Sequence, residues 1–141
     1  MNTKELKNCI EIWNLAYNYH EPYEALIKEN LYNKFLNYLE MQNFSAVNIY
    51  RGTTENRNMK IDDILVYNFA TSWSLSYDEA HSFIEELNLP VIFQIKNVEN
   101  IKAVLNDNEL GGEEVIVSPI NMKVINKYEH NSTVIFGMEI I

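Results

Sequence analysis

Residues 46–54 read AVNIYRGTT, and at this stretch the apolar pattern of the chain changes its period. Before it, apolar side chains recur at helical spacing; after it, β-branched and aromatic residues form the short runs typical of strands. The stretch also places Arg51 and Gly52 directly after an apolar run. Because an arginine near the interior needs an anionic partner, either a carboxylate of this chain or a bound ligand has to face Arg51.

The composition is that of a folded, acidic protein. A length of 141 residues predicts a single domain spanning residues 1–141. Of these residues 47% are hydrophobic, and the formal net charge is -9. This charge disfavours a nucleic-acid partner, whose phosphates need a basic surface. Cys9 is the only cysteine and the three histidines are scattered, so neither a disulfide nor a metal site is expected. With no signal-peptide core and no membrane-length apolar run, we expect a cytoplasmic protein without a membrane partner.

The apolar periodicity predicts two helices followed mainly by strands. The second helix begins at Pro22, a residue suited to a first helical turn, and continues to about Met41. A third helix is predicted over 76–87, with Ser76 as its N-cap and Glu79 as the reciprocal capping-box partner. Helices grouped first and strands grouped later predict an α+β fold with largely antiparallel pairing. The predicted strands are 46–52, 64–74, 91–95, 101–105, 113–119, 121–129 and 133–140.

Three short motifs carry residues suited to chemistry. They are YRGT at 50–53, TSWSLSYDEAHSF at 71–83 and GGEEVIVSP at 111–119. An arginine, a serine and a glutamate at strand ends can hold a phosphate-bearing ligand and stabilise a cationic transition state.

In this order and spacing, the three motifs resemble the arginine-serine-glutamate branch of the mono-ADP-ribosyltransferases. This branch includes clostridial binary toxins, Rho-modifying exoenzymes, phage transferases and arginine-specific ecto-transferases. The resemblance covers residues 6–125 and implies two N-terminal helices packed on a mostly antiparallel β-sandwich of two sheets. It also implies an enzyme of the pentosyltransferase type that uses NAD as co-substrate, without a metal. ADP-ribose would pass to a macromolecular acceptor, expected to be a protein, in the manner of a phage or bacterial effector or toxin.

The resemblance assigns roles to individual residues. Arg51 would contact the phosphates of NAD, and Gly52 would let the backbone approach the nicotinamide amide. Ser72 would hydrogen-bond the catalytic carboxylate of Glu114, which would bind the ribose 2′-OH and stabilise positive charge as nicotinamide leaves. Tyr77 is the candidate to stack on nicotinamide, whereas Phe83 is expected in the core. The implied NAD-contacting residues are Arg51, Gly52, Thr53, Ser72, Ser74 and Tyr77.

The chain departs from the family pattern at two positions. Trp73 stands where a small hydroxyl residue is usual. Gly112 stands two residues before Glu114, where arginine-modifying members carry Glu and many asparagine-modifying members carry Gln. Because side chains alternate along a strand, Glu113 should face away from Glu114, while Glu109 on the preceding loop is a further candidate. The acceptor residue is therefore left open.

Two other functions fit the same residues. A catalytically silent relative could act by binding, as an inhibitor or immunity protein does. An NAD glycohydrolase would pass ADP-ribose to water.

Overall fold

The computed structural model describes residues 1–107 and 113–141, and for Asp107 it describes the backbone alone. Three helices precede the first strand. They are α1 (Thr3–Asn14), α2 (Pro22–Lys28) and α3 (Tyr32–Glu40). The prediction of two helices was wrong because the second breaks at Asn30, which adopts a left-handed φ of 59°. Asparagine tolerates this conformation, which ends helices. The apolar periodicity runs through the break because residues of both helices, Leu26 and Phe35 among them, pack in one cluster.

The strands of the described residues form one hydrogen-bonded sheet. Its order is β2-β7-β8-β4-β1-β3-β6-β5, and the β4–β8 pair is parallel whereas the others are antiparallel. The α+β class with mostly antiparallel pairing is therefore confirmed. The strands are β1 (Phe44–Thr53), β2 (Ile64–Tyr67), β3 (Thr71–Ser74), β4 (Val91–Ile101), β5 (Ala103–Asp107), β6 (Glu113–Val117), β7 (Ile120–His130) and β8 (Thr133–Ile140).

The expected division into two separate sheets is not confirmed. Strand β1 pairs along most of its length with β4 on one side, and on the other side it pairs with β3. The β1–β3 connection consists of the pair Tyr50 and Ser74. Strands β3, β6 and β5 are thus joined to the larger part of the sheet through a short contact, which allows the two parts to diverge.

The predicted strand 64–74 divides into β2 and β3, which pair with different neighbours. The residues between them are held by aromatic side chains of the helical layer. The Tyr32 hydroxyl accepts a hydrogen bond from the Ala70 N–H at 3.0 Å. Phe69 stacks on Tyr23 with ring centroids 4.2 Å apart. These contacts turn the chain so that β3 enters the sheet beside β1.

The fourth helix, α4 (Tyr77–Ser82), is shorter than predicted. Ser76 is its N-cap, as predicted, and its side chain accepts a hydrogen bond from the Glu79 N–H. The Glu79 carboxylate does not complete the predicted capping box; it accepts a hydrogen bond from the Ser74 hydroxyl at 2.9 Å. This bond ties α4 to the end of β3. None of the helices described is long and apolar enough to cross a membrane.

Candidate active site

The row of cross-strand partners at the ends of β3 and β6 positions the site. Ser74 lies opposite Glu114, and Glu114 lies opposite Asn106 on β5. Directly opposed residues of antiparallel strands present their side chains on one face, and so do residues two apart on one strand. Ser72, Ser74, Glu114 and Asn106 therefore share a face, and all four line the same cavity.

Glu114 is held by two hydrogen bonds to one carboxylate oxygen. The Ser72 hydroxyl donates to Glu114 Oε1 at 2.8 Å, and the Trp13 indole N–H donates to the same oxygen at 2.9 Å. The indole N–H also lies 3.0 Å from Ser72 Oγ, so the three groups form a closed triangle. Hydrogen bonds to a carboxylate from preorganised donors fix its position.

Arg51 is largely buried, with its side chain 11% exposed, and its guanidinium is engaged on three nitrogens. Nη2 is paired with the Glu21 carboxylate. Nη1 donates to the Ser72 carbonyl at 3.0 Å, and Nε donates to the Tyr67 hydroxyl at 3.1 Å. The chain thus supplies the anion that this arginine requires, and that anion is Glu21.

Burial acts on the pKa values of this cluster. Burial by itself would lower the pKa of Arg51, but the interactions with Tyr67 and Glu21 outweigh it and leave that pKa raised. Burial raises the pKa of Tyr67, and the neighbouring Arg51 partly opposes this effect. The guanidinium therefore stays charged and the phenol neutral, so the Tyr67 hydroxyl remains a hydrogen-bond partner rather than a second anion.

Arg51, Ser72 and Glu114 border a cavity of about 1140 Å³ between the end of α1, α4 and the sheet. Arg51, Gly52, Ser72, Ser74 and Glu114, all predicted from the sequence, line it. The structure thus brings five of the predicted positions around one space. Further lining comes from the segment after α1 and from the residues around α4, including Leu15, Tyr17, Pro22, Glu79 and Phe83.

Gly52 has a packing role that the sequence did not reveal. A Cβ at this position would collide with the carbonyl oxygen of Ala80 on α4. Its absence lets α4 approach β1 closely. The Ser74 hydroxyl likewise serves α4, since it donates to Glu79 and accepts from the Ser76 N–H at 3.1 Å.

Three predicted placements differ from the structure. Thr53 and Tyr77 are not among the described residues that line the cavity. Tyr77 packs instead against His81, with ring centroids 5.6 Å apart, and edge-on against Tyr50. Phe83 was expected in the core but is 78% exposed and lines the cavity. The reason is that this segment buries Ala80 and Ile84 against the sheet, which leaves Phe83 on the opposite, outward side.

The glutamate pair follows strand alternation. Glu114 is half-buried and lines the cavity, whereas the adjacent Glu113 is exposed. Gly112 and Glu109 lie outside the described residues.

Sequence reasoning missed Trp13, Glu21, Asn14 and Asn106. The Asn106 side-chain amide donates to the Asn14 side-chain carbonyl at 2.7 Å, beside Glu114 on the neighbouring strand. In the sequence, Trp13 is one of the apolar residues at helical spacing in the first helix, a pattern that indicates only packing. Its indole nitrogen was the one available signal, because a buried indole N–H normally finds an acceptor.

The architecture is that of the ADP-ribosyltransferases, as the order of the three motifs indicated. No family model and no curated protein sequence matches the chain, but solved structures do. The Vis toxin, an ADP-ribosyltransferase from Vibrio splendidus, superposes with a TM-score of 0.70 at 17% identity over 99% of this chain and 74% of that one.

Two further solved structures have the same fold. C3stau2 from S. aureus, solved with NAD, has a TM-score of 0.72 at 14% identity over 99% of this chain and 88% of that chain. The Clostridium limosum C3 exoenzyme has a TM-score of 0.66 at 13% identity, over 99% and 86% of the two chains. Vis has also been solved in complex with agmatine. At these identities the similarity establishes the fold.

Proposed function

We propose that this protein is a mono-ADP-ribosyltransferase that binds NAD, releases nicotinamide and transfers ADP-ribose to a protein acceptor. The observation that carries the proposal is the carboxylate of Glu114, fixed by Ser72 and Trp13 at the edge of a large cavity that Arg51 also lines. The fold alone supports only a family resemblance. The fixed carboxylate of Glu114 is what supports the proposed release of nicotinamide from NAD.

The cavity fits NAD in size and in its lining. Its volume of about 1140 Å³ is slightly above the roughly 300–1,000 Å³ usual for ligand sites, as expected for a dinucleotide. A guanidinium has five N–H groups, and three of those on Arg51 have partners. One N–H on each terminal nitrogen has no partner among the described residues and can reach a phosphate oxygen.

Phe83 replaces Tyr77 as the proposed stacking residue for nicotinamide. Its ring is exposed at the cavity, whereas the Tyr77 ring is packed against His81 and Tyr50. Leaving a large aromatic side chain in water has a cost that a stacked ligand ring would remove.

Glu114 would act on the ribose that carries nicotinamide. Both described hydrogen bonds fall on Oε1, so Oε2 is the oxygen to accept a hydrogen bond from the ribose 2′-OH. The bond from ribose C1′ to nicotinamide breaks with its electron pair leaving on nicotinamide, and positive charge grows on the ribose. The negative carboxylate stabilises that charge more in the transition state than in the ground state, which is the condition for accelerating the step. The acceptor nucleophile then bonds to C1′ and loses its proton.

The acceptor is proposed to be a protein inside the cell, with the enzyme acting as a phage or bacterial effector. The charge of -9 gives little attraction for nucleic acid. Besides Glu114, the described lining of the cavity includes the acidic residues Glu11 and Glu79 against the single lysine Lys7, a balance that suits a neutral or cationic acceptor group rather than an anionic one.

Nicotinamide release tests the chemistry, and labelling tests the transfer. Glu114→Gln should lower the rate of nicotinamide release about 10²–10³-fold or more, because a neutral amide loses the charge stabilisation. Glu113→Gln is the matched control; it removes the same charge from the adjacent exposed position and should keep the wild-type rate. Wild-type protein that releases no nicotinamide with host extract or agmatine would overturn the proposal.

Transfer is tested with biotin-labelled NAD in host extract, followed by mass spectrometry of the labelled proteins. Label on proteins with wild type, and none with Glu114→Gln, supports a transferase. Free ADP-ribose alone would show an NAD glycohydrolase instead.

A further inference from the structure

The indole of Trp13 is tied to the two side chains of the proposed catalytic pair, although it belongs to an apolar cluster. Trp13 is 2% exposed and packs against Phe35 of α3, with ring centroids 6.0 Å apart. From that position its N–H reaches Glu114 Oε1 at 2.9 Å and Ser72 Oγ at 3.0 Å. A rigid, buried donor with one polar atom aimed at the site is an arrangement that holds its acceptor in place.

The segment around Trp13 is fixed to the site on two sides. The next residue, Asn14, accepts a hydrogen bond from Asn106, which lies opposite Glu114 on the neighbouring strand. The C-terminal end of α1 is therefore bonded to β3 and to β5, the two strands that flank β6 and its Glu114. Because Trp13 and Ser72 both donate to Oε1, the carboxylate has a defined rotation and Oε2 is directed away from them.

We propose that Trp13 is a positioning residue that orients the Glu114 carboxylate for the ribose 2′-OH. This inference rests on the proposed NAD chemistry for its catalytic consequence. Its structural half, a hydrogen bond from the Trp13 indole to the Glu114 side chain, stands independently. A carboxylate with one donor instead of two samples other rotations, and the bond to the 2′-OH is then made less often in the productive geometry.

The kinetic test is Trp13→Phe, which keeps an aromatic ring against Phe35 and removes the N–H. We expect kcat for nicotinamide release to fall about tenfold, the usual consequence of losing a hydrogen bond to a charged group. KM for NAD should stay within about twofold, because the indole acts through Glu114 rather than on NAD. Leu39→Val is the control, since it trims a buried side chain of the same cluster on α3 that is not among the described residues lining the cavity. It should keep the wild-type kcat.

The spectroscopic test does not depend on activity. In the NMR spectrum the Trp13 indole proton should lie downfield and should move upfield in Glu114→Gln, where the acceptor loses its charge. The indole proton of Trp73, which donates to Thr71 Oγ1 at 2.9 Å, serves as the internal reference and should not move. This measurement decides the structural half even if Trp13→Phe fails to fold.

The outcomes separate this inference from the proposed function. If wild-type protein releases no nicotinamide but the Trp13 proton responds to Glu114→Gln, the function is wrong and the hydrogen bond is real. If the wild type is active and Trp13→Phe matches it in kcat, the positioning role is overturned. An equal loss of kcat in Leu39→Val would overturn it too, because the effect would then come from a loosened cluster. If the chemical shift of the Trp13 indole proton does not change in Glu114→Gln, the hydrogen bond from Trp13 to Glu114 is absent and the inference is overturned.

Discussion

The guanidinium of Arg51 is paired with the carboxylate of Glu21, a residue 30 positions earlier that directly precedes α2. The two side chains are 11% and 21% exposed, so the pair is shielded from solvent more than a surface ion pair is. In the proposed enzyme the phosphates of NAD and Glu21 compete for one cation. The helical layer thus carries an anion at the place where the substrate needs a positive charge.

Glu21→Gln should therefore strengthen NAD binding while weakening the fold. The amide can still accept from Arg51 but no longer neutralises it, so KM for NAD should fall severalfold in nicotinamide-release assays. The free energy of unfolding should fall by about 1–2 kcal/mol, measured by denaturant titration, because the shielded ion pair is lost.

Glu55→Gln is the control for the change in net charge. Glu55 contacts His20 at an exposed position, 3.1 Å away, and should leave both KM and stability near wild type. A higher KM in Glu21→Gln would contradict the competition and would show that Glu21 orients Arg51 for the phosphates.

Ser72→Ala should lower kcat with little effect on KM for NAD. The substitution removes one of the two donors to Glu114 Oε1 and leaves the Trp13 bond in place. A loss of about tenfold in kcat is expected for one hydrogen bond to a charged group. Ser118→Ala is the matched control. It also removes a buried serine hydroxyl, but Ser118 lies just beyond the C-terminal end of β6, whereas Glu114 lies near the start of that strand. Equal kcat values in wild type and Ser72→Ala would show that the hydroxyl does not hold the carboxylate during the reaction.

Phe83→Ala should raise KM for NAD without loss of stability. The side chain is 78% exposed, so its removal should change the free energy of unfolding by less than about 0.5 kcal/mol. Loss of a stacked ring should raise KM roughly fivefold to tenfold. Leu87→Ala removes another exposed apolar side chain from the same segment and should leave KM unchanged. A normal KM in Phe83→Ala would show that nicotinamide binds elsewhere in the cavity.

The local sequence pattern was enough to predict the orientation of residues within a strand, because side chains alternate between its two faces. Glu114 and Glu113 were separated by strand alternation alone, and the structure has one lining the cavity and the other exposed. The break at Asn30 had a weak local signal in the asparagine, but the apolar period continued across it.

Contacts between distant segments could not be predicted from spacing. Trp13 lies 101 positions from Glu114 and 59 from Ser72, and these separations carry no periodic signal. The Glu21 partner of Arg51 was one of many carboxylates and had no distinguishing signal, so the motifs favoured a ligand as the anion that faces Arg51. The exposed position of Phe83 depends on which side of its segment is buried, and that side is set by the packing of Ala80 and Ile84 against strands distant in the sequence.

Gly52→Ala tests whether the close approach of α4 to β1 shapes the site. The added Cβ would collide with the Ala80 carbonyl oxygen, which belongs to helix backbone and can yield only if α4 moves. Such overpacking should lower the free energy of unfolding by about 1–3 kcal/mol. Since α4 is tied to β3 through Ser74 and Glu79, its displacement should also raise KM for NAD.

Gly137→Ala separates the effect on the site from the effect on the fold. A Cβ at Gly137 would collide with the Asn126 side chain on β7, away from the cavity. The Asn126 side chain can move aside only by giving up its hydrogen bond from the Gly137 N–H, so this variant should lose some stability while keeping the wild-type KM and kcat below its melting temperature. If both glycine variants raise KM equally, the change follows from lost stability and α4 does not define the site. If Gly52→Ala alone raises KM, the glycine beside Arg51 serves the cavity by admitting the helix.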